Sequence, residues 1–232
     1  TIGNTTVTHD DTIDTRVLAA QAAYVDKQTV ATTVGAIVAA TLGVILLHGS
    51  VSTTSLFVWY CFVILVYGWQ VLPSNRLEPN DPPVAKVNQW TKRFYVHCVM
   101  AGMSWGIFAA ALFPDGFGAK ELAMVFFLAG ISAVAIGATT SLPLAYPLFL
   151  APCVIPFAIK MILDADATRV IIGFAAILYM AMMLMLNRRS TMTIETSLKL
   201  GFELEVANRD AESINEMLRA EVSARARAQE NA

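Results

Sequence analysis

Residues 168–186 read TRVIIGFAAILYMAMMLML and are followed directly by Asn187-Arg188-Arg189. An α-helix needs roughly 20 predominantly apolar residues to cross a bilayer. This run meets that requirement, and its single charged residue, Arg169, lies near its start. Five earlier runs have the same character and cover residues 29–47, 54–72, 94–113, 121–139 and 142–163. The pattern therefore predicts an all-α membrane protein with six transmembrane helices.

The composition supports this prediction. Apolar residues make up 56% of the 232 residues, charged residues only 15%, and the mean hydropathy is +0.58. Soluble domains carry about 25% charged residues. The formal net charge of −2 gives no general reason to bind polyanions. A soluble enzyme, a nucleic-acid-binding protein and a disulfide-stabilised mini-protein are therefore not expected. Cys61, Cys98 and Cys153 lie in apolar runs and are predicted to be buried thiols.

The Lys and Arg residues of short loops predict the orientation, because they concentrate on the cytoplasmic side. They lie before the first run, between the second and third, and after the sixth: Arg16, Lys27, Arg76, Lys86, Lys92, Arg93, Arg188 and Arg189. The other connections contribute only Lys120 and Arg169. Both termini are therefore predicted to be cytoplasmic. The outer connections are too short to form a ligand-binding domain of their own.

After Leu186 the sequence keeps its helical character but becomes polar, with one glycine, Gly201, and no proline. Apolar and small residues recur at alternating steps of four and three, the a/d spacing of a coiled coil. These seam residues are Leu200, Leu204, Ala207, Ala211, Ile214 and Leu218. Because no other partner for the helix is apparent in the chain, we predict a parallel coiled coil of two identical chains. A solvated amphipathic helix is the alternative.

Three regions follow from these patterns. Residues 1–28 are predicted to form a cytoplasmic N-terminal arm or amphipathic helix, residues 29–186 a six-helix membrane domain, and residues 187–232 a long cytoplasmic coiled-coil helix. The chain begins with Thr1 rather than Met and ends at Ala232 within a helical pattern. We therefore expect it to be a segment of a longer protein.

The fifth run is unusual because it contains Pro147, Pro152 and Pro156. A proline inside a helix removes a hydrogen bond and frees a backbone carbonyl. In a membrane such a carbonyl is tolerated where protein or a cavity receives it. The run is therefore predicted to be either a hinge that opens a pocket or a static kink packed against its neighbours.

We predict a site for a small or lipid-like ligand between the second, third and fifth helices. The candidate residues are aromatic rings with polar tips, a histidine within an apolar run, and a central proline: Tyr67, His97, Trp105, Tyr146 and Pro152. For other aromatic residues, Trp59, Tyr60 and Trp69, anchoring at the membrane interface is the favoured interpretation. The small residues Ala129, Ala133 and Gly137 predict close helix packing by the fourth run.

The runs carry no signature of catalysis or of a metal site. His48 and His97 are predicted to lie in opposite leaflets, so one chain cannot use both as ligands to one metal or haem. No nucleophile–base pair and no phosphate-binding glycine loop is apparent in the sequence. We therefore predict no catalytic residue, no metal and no cofactor in this segment.

Residues 101–106, AGMSWG, together with Leu112-Phe113-Pro114, resemble the third-helix signature of a six-helix bacterial membrane module. That module stands at the N-terminus of diguanylate cyclases with GGDEF or GGDEF–EAL domains and of sensor histidine kinases. Residues 187–189 leading into 198–203 are similar to its exit helix, with Gly201 where arginine is common. Residues 218–230 are similar to the linkers that precede such catalytic domains.

The resemblance implies a dimeric sensory or regulatory input domain in the bacterial inner membrane. The enzyme it would drive is foremost a diguanylate cyclase, which makes cyclic di-GMP, and otherwise a histidine kinase. The resemblance transfers no catalytic residue and names no ligand. The expected partners are a second copy, membrane lipids and a small ligand, but no nucleic acid. A small transporter and a passive dimerising anchor are the alternatives, although the runs lack the paired charges and the internal repeat typical of transporters.

Overall fold

The computed structural model describes residues 9–72, 77, 84–113, 118–164 and 166–230, which form six α-helices and contain no strand. The helices are α1 (His9–Leu47), α2 (Thr53–Val71), α3 (Val84–Ala111), α4 (Ala119–Thr139), α5 (Ala145–Ile162) and α6 (Ala167–Glu230). Each contains a window long and apolar enough to cross a membrane. The prediction of an all-α chain with six potential spans is therefore confirmed. Arg76 and residues 114–117, with Pro114 of the third-helix signature, lie outside the described residues.

The chain divides into two compact units. One, here called the bundle unit, comprises Leu18–Met192, and the other, the terminal unit, comprises Thr1–Val17 with Thr193–Ala232. Helix α1 is continuous through residues 9–28, which the sequence analysis separates from the first span, and α6 is continuous from the sixth span into the C-terminal region.

Helices α3 and α5 form the most closely packed pair in the bundle unit. A Cβ atom on Gly102 would lie 2.1 Å from the backbone oxygen of Phe149, and one on Gly106 would lie 2.1 Å from the backbone oxygen of Pro152. Only glycine allows the two backbones to approach this closely. The Pro152 carbonyl is also the one that Pro156, which has no N–H, leaves without its helical donor. The Cα–H group of Gly106 faces that carbonyl and offers it a weak hydrogen bond.

An aromatic cluster joins α2 to this pair. Trp59 stacks on Phe108 with 4.4 Å between ring centroids and meets the edge of Trp105 at 5.6 Å. Its indole Nε1 donates a hydrogen bond to the backbone oxygen of Ser104 at 2.8 Å. Trp59 is 3% exposed, so its predicted role as an interface anchor is wrong. Its ring fills the core because α3 offers both an aromatic surface and a carbonyl acceptor.

A charged cluster ties the start of α4 to the α5–α6 connection. Arg169 makes ion pairs with Glu121 at 2.9 Å and with Asp164 at 2.6 Å. Glu121 is buried, and its other carboxylate oxygen accepts a hydrogen bond from the backbone N–H of Gly118. Lys120, the neighbouring cation, donates to the His48 carbonyl and to Ser50. These contacts join the start of α4 to the residues after α1 and to the α5–α6 connection. Lys120 and Arg169 are therefore both bonded to neighbouring helix ends.

In the terminal unit, the N-terminal part of α1 contacts one side of α6. The Arg16 guanidinium lies 4.6 Å from the ring centroid of Phe202 and 3.4 Å from the carboxylate of Glu205. The expectation that this part of α6 has no partner within the chain is therefore wrong. Phe202 and Glu205 fall on the opposite side of the helix from Leu200 and Leu204. All six seam residues are exposed.

Candidate functional site

A pocket of about 490 Å³ lies inside the bundle unit. Residues of α1, α2, α3 and α4 line it, together with Phe149 of α5. Small-molecule pockets in proteins typically measure about 300–1,000 Å³ and combine an apolar lining with a few placed polar groups. Among the described residues that line this pocket, none is charged. Its size and lining therefore suit a small, mainly apolar molecule.

Three of the five predicted site residues, Tyr67, His97 and Trp105, line this pocket together. The indole Nε1 of Trp105 donates a hydrogen bond to the Tyr67 hydroxyl at 2.9 Å. The His97 ring meets the Tyr67 ring edge-on, with 5.4 Å between centroids. The hydroxyl of Thr33 on α1 donates to the Tyr67 carbonyl at 3.4 Å. Tyr67 thus links α1, α2 and α3 in the lining of the pocket.

His97 is the least satisfied polar side chain of the pocket. It is 7% exposed. Its Nδ1 atom is buried and has no hydrogen-bond partner among the described residues. Buried polar atoms are nearly always paired, since an unpaired one costs free energy.

The other two predicted residues lie behind the pocket wall. The Tyr146 hydroxyl donates to the backbone oxygen of Ser132 at 3.0 Å, which fastens α5 to α4. Pro152 packs against Gly102 and Gly106 of α3. Neither residue is in the pocket lining. The structure therefore separates these two from Tyr67, His97 and Trp105.

The contribution of α1 and α4 to the pocket was not predicted from the sequence. Thr29 and Thr33 of α1, and Thr139 at the end of α4, are buried and face the pocket, as does Gln70 of α2. The threonines of α1 follow a four-residue step and therefore share one helix face. This polar face within an apolar run is the sequence signal that could have identified the first helix as a pocket wall.

The wall formed by α4 is also bonded to α6. Thr139 lines the pocket, and the next residue, Thr140, accepts a hydrogen bond at its carbonyl from the Thr191 hydroxyl at 2.8 Å. Both threonines of this bond are buried. Asn187, one helical turn before Thr191, is buried as well, and its Oδ1 has no hydrogen-bond partner in the described part of the chain. The hydrogen bond between Thr191 and Thr140 therefore joins the α4 side of the pocket to α6.

Within the described ranges, no three His, Cys, Asp or Glu side chains converge to hold a metal ion.

No family model matches the chain, and no curated protein or solved structure matches it significantly. The resemblance to the input modules of diguanylate cyclases and histidine kinases therefore rests on the sequence motifs alone.

Proposed function

We propose that this chain is a sensory or regulatory input domain embedded in the bacterial inner membrane. In this proposal a small or lipid-like molecule occupies the pocket, and α6 carries the resulting change to an enzyme domain in the cytoplasm. A diguanylate cyclase is the leading candidate for that enzyme, and a histidine kinase is the alternative. Both termini lie on the cytoplasmic side, as the loop cations suggest.

The observation that carries the proposal is the hydrogen bond from Thr191 to the Thr140 carbonyl. It joins α6 to the end of α4, directly beside the pocket residue Thr139. A ligand shifts an equilibrium only by contacting two states differently. A ligand that moves the α4 wall alters the geometry of this bond, and so has a physical means of favouring one position of α6.

The proposal also includes a parallel homodimer through the seam of α6. Four of the seam residues are each about 60% exposed: Leu200, Leu204, Ile214 and Leu218. The face of α6 that Arg16 contacts lies on the opposite side of the helix from this seam. Exposed leucines at coiled-coil spacing are costly unless a partner helix covers them. A second copy supplies the same seam in parallel register, which a membrane-anchored helix favours because both copies leave the bilayer on the same side.

A fusion of residues 1–232 to a diguanylate cyclase catalytic domain tests the proposal by its cyclic di-GMP output. Thr191→Val keeps the shape of the side chain but removes its hydroxyl. We expect output to change about two- to tenfold, the range that a net hydrogen bond of about 0.5–1.5 kcal/mol allows. Thr41→Val is the matched control, because the Thr41 hydroxyl is bonded to Ile37 and Tyr60, outside the pocket and α6.

The passive-anchor alternative predicts a different result. If an unrelated dimeric membrane anchor gives the same output as residues 1–232, and Thr191→Val gives the same output as Thr41→Val, the sensory proposal is contradicted.

A further inference from the structure

The pocket opens to the outside of the bundle unit between α1 and α4. Every described lining residue that belongs to α2, α3 or α5 is buried. The exposed lining residues lie on the other two helices and are here called the mouth: Ala31 and Gly35 of α1, and Phe126, Gly130 and Val134 of α4. On each helix they follow steps of four residues and therefore share one face.

The two glycines of the mouth show that α1 and α4 leave a gap between them. A Cβ atom on Gly35 or Gly130 would meet nothing within 4 Å. Small residues often mark places where membrane helices touch, and at Gly102 and Gly106 a Cβ atom would indeed meet the backbone of the neighbouring helix. The mouth has no such contact, so a chain-like molecule can pass between the two helices.

The position of the mouth along the helices determines what can reach it. With a rise of 1.5 Å per residue, Gly35 lies about 18 Å from the end of α1 at Leu47, and Gly130 lies about 17 Å from the start of α4 at Ala119. These two helix ends lie together, because the Lys120 side chain donates to the His48 carbonyl. The hydrocarbon core of a bilayer is about 30 Å thick. In a membrane, the mouth therefore faces lipid tails near the middle of the bilayer.

We propose that the pocket takes up the hydrocarbon tail of a membrane lipid through the mouth, while the head group of that lipid stays at the bilayer surface. None of the described lining residues is charged, and burying a charged head group without a partner is costly. A hydrocarbon tail needs no polar partner. This inference deepens the proposed function by naming the ligand class and rests on it for its biological meaning, although uptake of a tail can be measured separately.

Photochemical labelling of the full chain in lipid nanodiscs tests the inference. One probe is a phosphatidylcholine with a diazirine midway along an acyl chain, and a second carries the diazirine on its head group. Mass spectrometry then locates the label. We expect the tail probe to label Tyr67, Phe94 and Phe149, which line the pocket on the three helices behind the mouth and are 7%, 6% and 4% exposed. The head-group probe should leave these three residues unlabelled.

Gly35→Phe combined with Gly130→Phe fills the mouth, and the interior label should then be lost. Both side chains begin in open space, so the fold should persist, and the unfolding temperature of the variant measures this. Gly137→Phe is the matched control. Gly137 is also an exposed glycine of α4 with nothing within 4 Å of its Cβ position, but it does not line the pocket. This control should retain the interior label.

Absence of the tail label from all three interior residues of the unsubstituted chain, or an undiminished label in the filled variant, would overturn the inference. Interior labelling by the head-group probe contradicts it too, because the whole lipid then enters. A second copy seated over the mouth gives another contradicting result, since Phe126 and Val134 are then unlabelled as well as the interior.

Failure of the proposed function gives a different result. If the tail probe labels the interior, but the filled variant and Gly137→Phe give the same output in the cyclase fusion, tail uptake is supported and the sensory role is contradicted.

Discussion

Gly106→Ala is expected to abolish stable folding of the bundle unit, and Gly102→Ala is expected to act in the same way. In each case the new methyl group would lie 2.1 Å from a backbone oxygen of α5. A flexible side chain could rotate away, but these oxygens belong to Phe149 and Pro152 within a helix. Overpacking usually costs about 1–3 kcal/mol and occasionally more. Because whole helices must separate here, we expect a loss at the upper end, about 3 kcal/mol or more.

Thermal unfolding in nanodiscs measures this effect, and α4 and α2 offer matched controls. A Cβ on Gly137 or Gly68 would meet nothing within 4 Å. In a helix interior alanine is intrinsically more favourable than glycine by about 1 kcal/mol. Gly137→Ala and Gly68→Ala should therefore be neutral or slightly stabilising. If Gly106→Ala unfolds at the same temperature as these controls, the close contact between α3 and α5 is not as described.

Leu204→Glu is expected to separate the proposed dimer into single chains. Leu204 is 63% exposed in one chain, and a coiled coil would bury it against the same residue of the second copy. Burial of a leucine contributes roughly 1.5–3 kcal/mol, and two leucines are lost per dimer. Two glutamates placed opposite each other also repel. We therefore expect dimerisation to weaken by about a hundredfold or more.

Light scattering of the detergent-solubilised chain over a range of concentrations measures this change. Met217→Glu is the control, since Met217 is 64% exposed but lies beside the seam, at a position where coiled coils commonly carry charge. It should leave the dimer intact. Equal masses for wild type and Leu204→Glu would show that the seam does not hold two copies together.

The sequence was sufficient for the architecture because membrane helices are specified by length and composition. It could not identify which helices approach closely. The small residues of α4 predicted tight packing, but a Cβ on Gly130 or Gly137 of α4 would meet nothing within 4 Å. The tight contact instead uses Gly102 and Gly106, opposite the prolines of α5. A glycine stripe alone does not reveal its partner, since that depends on how the helices are arranged around the bundle.

The site was predictable only in part for the same reason. Tyr67, His97 and Trp105 carry polar atoms within apolar runs, and such atoms must find partners inside the protein. Tyr146 carries the same signal, but its hydroxyl bonds to the Ser132 carbonyl and faces away from the pocket. Periodicity gives the face of a helix but not the neighbour that this face meets. The contact of Arg16 with Phe202 joins residues far apart in sequence and was inaccessible for that reason.

The most direct test of the proposed signalling role is the rate of disulfide cross-linking at Leu204→Cys in nanodiscs, with Cys61, Cys98 and Cys153 replaced by alanine. Two copies in a parallel seam bring this position together. We expect cross-linked dimers to form, at a rate that Thr191→Val changes and that the control Thr41→Val leaves unaltered. A cross-linking rate that is the same in Thr191→Val, Thr41→Val and the unsubstituted chain would contradict transmission from the α4 side of the pocket to α6.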